Sequence, residues 1–354
     1  MSRGKPHERA PGEGGVKMGG TPKQLYRELL QGRRLDRFPE LIPINPPVVG
    51  IMEESSIYWP DAHRDADLMG RLAYRCQEIL RFNAVSVPFD MTVEAEALGC
   101  RLVWSDSRTA TPQVVEGQNN DEGILDFDES LFARGRFPVV IGAVRHLASA
   151  CGDEIPVTAF CEGPFTLASL LFDTNRSYRM VIRDSGRMRQ ILDRIEALIV
   201  SYIERLLAAG ADTVIVLDPN VMGLTVSQFT ELVLPCYRSI TERIENPLIL
   251  HICGSVGHLL GEIAGSGFAA FSFEYPAVEP ETIVRSMGAS VRVIGSVPTI
   301  SHLLNGTPDD VYEVSTKMIA AGVDVLAPSC FTPPGTSIEN LIAMRRAIEE
   351  WKGA

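Results

Sequence analysis

The feature that most constrains this chain is the recurrence of short apolar, β-branched runs separated by stretches of helical period. The runs are LIPIN (41–45), AVSVPF (84–89), PVTAFCEG (156–163), DTVIVLDP (212–219), PLILHICG (247–254), AAFSFE (269–274), VRVIGSV (291–297) and VDVLAPSC (323–330). Most are joined by amphipathic segments with readable starts, such as TPDD (307–310) ahead of VYEVSTKMIAAG, which closes on Gly322. Eight apolar strands, each followed by a helix, predict an α/β fold, a (β/α)8 TIM barrel.

Three segments depart from that alternation. Residues 1–20 are rich in Gly, Pro and charge without apolar period, and read as a disordered N-terminal tail containing Met18, a candidate start. In TPKQ, Thr21 is placed as an N-cap, Pro22 at the first helical position and Gln24 to close a capping box, so LYRELLQGR forms an N-terminal helical extension. Residues 99–152 interrupt the second and third strands, with CRLVWSDSRTATPQVVEG reading as a hairpin and DESLFARGRFPVVIGAVRHLASA as an extra helix. The 354 residues would allow one barrel or two smaller domains. Without a repeat of solenoid length, a single domain over 21–354 is the simpler reading.

Composition removes whole classes of function. A formal net charge of -12 offers no basic stripe for a phosphate backbone, which excludes nucleic acid and leaves small substrates or protein partners. No apolar run reaches the roughly 20 residues needed to span a bilayer, and there is no secretory signal, so no membrane is implied and a cytoplasmic location is expected. Seven scattered cysteines without dense spacing read as reduced thiols, buried by default as small hydrophobes.

In such a barrel the active site lies at the C-terminal strand ends. Here those ends carry Asn45, Asp90, Cys161 with Glu162, Asp218, His251 with Cys253, Glu274, and Ser329 with Cys330, while the strand middles are apolar. Each has a plain alternative. Asp90 and Asp218 could be helix caps, and Cys161 a packed thiol. His251 and Cys253 are harder to dismiss, because positions i and i+2 of a strand share a face, with Leu250 and Ile252 on the other. Cys330 brings a second thiol to the same mouth. Two Cys and one His form a soft three-ligand set suited to catalytic Zn2+, with a fourth position left for a carboxylate, water or substrate. A structural zinc would want four ligands in close pairs, and the chain has no C-x2-C.

The segments VPFDMTVEAEALGC, CEGPFTLASLL, LILHICGS and VDVLAPSCFTPPGTSIENLIAM resemble the methylcobamide:coenzyme M methyltransferases, a branch of the uroporphyrinogen decarboxylase superfamily, over roughly residues 21–350. That resemblance implies catalytic zinc on His251, Cys253 and Cys330. It also implies methyl transfer from a methyl-Co(III) corrinoid on a partner protein to a thiol, with coenzyme M expected. Glu274 is the candidate resting fourth ligand, with Asp218, Glu162 and Asp90 as further acids at the mouth and Asn45 and Ser329 as cofactor contacts. The segment DAHRDAD (61–67) begins like a D-x-H-x-x-G cobalamin motif, but Asp67 replaces the Gly, and a solvated helix start is the better reading. Methylcobalamin therefore arrives on a corrinoid protein docking over the mouth, against the 99–152 insertion. The alternatives are tetrahydrofolate as acceptor, decarboxylation of a porphyrinogen, and a non-catalytic barrel that binds metal or the corrinoid protein. Decarboxylation is weakened because NPPVVGIMEESSIYWPDAH, after the first run, lacks Arg and Lys.

Overall fold

The computed structural model describes residues 20–33, 47–105, 107–117 and 126–351. The first apolar run, with Asn45, lies outside them, as does the tail up to residue 19. Six of the other runs form one parallel sheet: β1 (Val85–Val87), β4 (Val157–Glu162), β5 (Thr213–Leu217), β6 (Ile249–Ile252), β7 (Ala270–Phe273) and β8 (Arg292–Ile294), in that order. The last run, 323–330, continues the wall beside β8 without forming a regular strand. Ile294 bridges Val325 and Val297 bridges Pro328, and the N–H of Ser329 donates to the Val297 carbonyl (2.8 Å). The strands are short because proline follows several of them closely: Pro88, Pro164, Pro219 and Pro298 cannot donate to a ladder.

Strand alternation separates two apolar layers. Phe160, Ile215, Leu217, Ile249, Ala270 and Ile294 share an inner cluster, and Ala159, Cys161, Val216, Leu250, Ile252 and Phe273 belong to the layer packed against the helices. The inner face is the lumen of the barrel, as a (β/α)8 wall requires.

The expected hairpin is present as β2 (Arg101–Val103) paired antiparallel with β3 (Gln113–Glu116). The helix expected in the same insertion spans Phe137–Cys151, and it also serves as the crossover from β1 to β4. At the opposite end, Thr21 caps the helix Pro22–Leu30 through the reciprocal box with Gln24. The helix ends three residues short of Arg33. It corks the bottom of the barrel: Tyr26, Leu29 and Leu30 join the inner cluster, the two leucines contributing about 2 kcal/mol each by apolar burial. Lys23 and Arg27 both reach Asp212 Oδ1 at 3.0 Å, and Arg292 donates to the carbonyls of Leu29 and Gly32. No helix among the described residues is long and apolar enough to cross a membrane.

Candidate metal centre at the barrel mouth

Three soft donors converge at the C-terminal end of the wall. The ligand atoms of His251, Cys253 and Cys330 all lie within 4.8 Å of one another. His251 is the third residue of β6 and points into the lumen with Ile249. Cys253 follows two positions later on the same face, just past the strand. His251 Nε2 is 3.0 Å from Cys253 Sγ, which is 2.8 Å from Cys330 Sγ. The other ring nitrogen, Nδ1, pairs with Ser272 Oγ of β7 at 2.9 Å, which fixes the ring so that Nε2 faces the sulfurs. The register His251↔Ser272 sets that contact.

The Cys330 contact and desolvation push the Cys253 thiol up, while hydrogen bonds from Cys253 and His251 hold the Cys330 thiol below its usual value. Glycine follows Cys253 for steric reasons: Gly254 has φ +81, and a Cβ there would lie 2.5 Å from Met222 Sδ. The Gly254 N–H donates to Glu274 Oε2 at 2.7 Å, which holds that carboxylate near the cluster though outside its three-donor set. Two sulfurs and an imidazole with no basic side chain among them suit zinc.

The other predicted acids occupy a separate centre around β1, β4 and β5. Asp90 receives Arg136 in a bidentate pair (2.5 and 3.0 Å) and both the N–H and Oγ1 of Thr92 (3.0 and 2.6 Å). Burial alone would raise its carboxyl, but the Arg136 guanidinium, aided by His63, holds it well below the carboxylate range. Arg136 also binds Glu96 (2.6 Å). Asp90 is therefore a locked ion pair and not the cap of the helix Val93–Ala97, whose N-cap is Thr92.

Asp218 does cap a helix, although not its own. Its carboxylate accepts from the N–H groups of Phe165 and Thr166 (3.3 and 2.7 Å) at the start of the helix Pro164–Phe172, and from the Tyr237 hydroxyl (2.9 Å). Gly163 leaves room for it, since a Cβ there would meet Asp218 Cβ at 2.3 Å. Burial still pushes its carboxyl up to about 6. Glu162 ends β4 on the inner face, fully buried, and burial followed by Glu94 and Asp218 pushes its carboxyl well up. Its N–H donates to Glu94 Oε1 (3.0 Å), and burial pushes Glu94 up to about 7. Cys161 faces the outer layer with a thiol raised by burial, a packed residue. Ser329 is buried beside Cys330 with Oγ unpartnered.

The segment DAHRDAD corrects one expectation. Asp61 and Arg64 are exposed, and Asp65 caps the helix Ala66–Leu80, as a solvated helix start requires. His63 is instead completely buried, with Nδ1 3.0 Å from Asp90 Oδ2 and the rings of Trp59, Phe89 and Trp104 around it. Ser272, Arg136, Glu94 and His63 carry no local signal, because each acquires its partner from another strand or loop.

The uroporphyrinogen decarboxylase (URO-D) family model matches residues 21–351, and the chain belongs to that family. Within it the chain is an enzyme of the methyltransferase type. It is 31% identical over 333 residues, covering 93% of this chain and 89% of the relative, to a methylated-thiol–coenzyme M methyltransferase of Methanosarcina mazei. It is 28% identical to the methylcobamide:CoM methyltransferase MtaA of Methanosarcina barkeri, covering 94% of this chain and 98% of that one. A solved methyltransferase from Methanosarcina mazei superposes with a TM-score of 0.89 at 28% identity, covering 94% of this chain and 99% of the other.

Proposed function

We propose that this protein moves a methyl group from a methyl-Co(III) corrinoid, carried by a separate protein, to a small thiol at a zinc ion held by His251, Cys253 and Cys330. The observation that carries this reading is the convergence of the three soft donors at the open end of the wall. Bound there, zinc supplies a Lewis acid that keeps the acceptor thiol deprotonated near neutral pH. The chain's own part is positional: Ser272 fixes the His251 ring, and Gly254 lets Met222 close over the cysteine loop. Glu274, tethered by the Gly254 N–H, is the carboxylate that would be available to help hold the zinc alongside the three donors. The corrinoid protein docks over the mouth in the cytoplasm, and relatives named for coenzyme M support a small thiol as the acceptor.

Decarboxylation of a porphyrinogen fits poorly. Its substrate carries several carboxylates, and the inner wall offers acids, while Arg136 is already committed to Asp90 and Glu96. X-ray absorption at the zinc edge tests the proposal. Adding a thiol should add one sulfur contact, and an unchanged spectrum together with an unchanged methyl-Co(III) absorbance sinks it.

A further inference from the structure

Glu162 is an acid of the lumen wall with an unused oxygen. The residue is 1% exposed, and its Oε2 is buried with no hydrogen-bond partner among the described residues. Alternation along β4 puts its side chain on the inner face, two residues after Phe160. The register Glu162↔Leu217 and Leu217↔His251 sets it in the same row as His251, two strands away. That is about 10 Å along the wall at the usual strand spacing, and both side chains reach inward from it. Because both side chains extend into the lumen and shorten that gap, a small molecule anchored by sulfur beside Cys253 and Cys330 can turn its other end towards Glu162.

Charge decides which end of such a molecule belongs there. The ionisable groups that act on Glu162 are Glu94, Asp218 and Asp90, all acids. The nearest guanidinium, Arg136, is committed to Asp90 and Glu96. An anionic head placed in this wall meets repulsion and finds no uncommitted cation among the described residues. An ammonium gives Oε2 the donor it lacks and neutralises a field that is otherwise one-signed.

We infer that Glu162 determines acceptor specificity by binding an N–H-donating, cationic end of the methyl acceptor, which makes that acceptor an aminothiol. This rests on the proposed methyl transfer for the thiol end and departs from it on the other end, since coenzyme M carries a sulfonate. Calorimetric titration of the zinc-loaded protein with cysteamine and with 2-mercaptoethanesulfonate tests it. Cysteamine should bind at least tenfold more tightly, and Glu162→Gln, which keeps the side-chain shape, should bring the ratio close to one. A wild-type ratio at or below one, or a ratio that Glu162→Gln leaves unchanged, overturns the assignment. Methylcobalamin added to the same samples reports the underlying reading separately: if no thiol discharges the methyl-Co(III) absorbance, methyl transfer fails, while the binding ratio still decides Glu162.

Discussion

The barrel mouth holds two polar centres of opposite character. Around Asp90 the arrangement is complete: a buried carboxylate meets a bidentate guanidinium and two donors from Thr92, and the charges cancel within the protein. Around His251 it is incomplete: two sulfurs and a ring nitrogen converge on one another rather than on a charged partner. Burying polar groups is tolerated when they satisfy one another, which is how a structural lock looks. Groups that converge without satisfying one another mark the place where something else must bind. The two centres occupy the same rim, so strand position does not separate them; the difference is whether the partners are internal.

The largest test of that contrast removes a sulfur. Cys253→Ala or Cys330→Ala should lower bound zinc more than tenfold, by metal analysis, and methylcobalamin-dependent thiol methylation by about a hundredfold or more, with little loss of fold stability. The converse comes from the locked centre: Arg136→Ala strands the Asp90 charge and should cost about 3–5 kcal/mol in denaturant unfolding, while zinc per folded chain stays the same. If Arg136→Ala released zinc without destabilising the fold, the contrast would be broken.

A smaller effect is expected at Ser272, which orients the His251 ring from behind: Ser272→Ala should weaken zinc binding by roughly 10- to 100-fold in a chelator competition. Glu94 gives the finest distinction. Its carboxyl is raised from an ordinary value of 4.5 to about 7, so the folded chain holds a proton that the unfolded chain has released between those values. Its contribution to stability is therefore greatest at and below pH 4.5 and declines as the pH rises towards 7. Glu94→Gln should flatten that part of the stability profile; an unchanged slope would place the titration elsewhere.

What could be read from the sequence follows from where each partner sits. The pair His251 and Cys253 was legible because two residues on one strand need only the alternation rule, and Cys330 because its run ends at the same rim. The capping box at Thr21 and the helix start at TPDD (307–310) were legible for the same local reason. Asp90 was visible as a candidate acid, but its role depends on Arg136, 46 residues away across the hairpin. Asp218 read as a cap and is one, yet for a helix that begins 54 residues earlier in the chain, which no periodicity reports. The eighth run could be recognised as apolar, whereas its reduction to two isolated bridges, to Ile294 of β8 and to Val297 beyond it, depends on the geometry of its neighbour.

The helix that corks the barrel has a consequence for the order in which the chain assembles. Pro22–Leu30 leaves the ribosome early, but its seat is built from Asp212, Arg292 and inner-face residues as late as Val325. Until those residues emerge, Tyr26, Leu29 and Leu30 have no surface to cover, and this helix, the first among the described residues, must be among the last to dock.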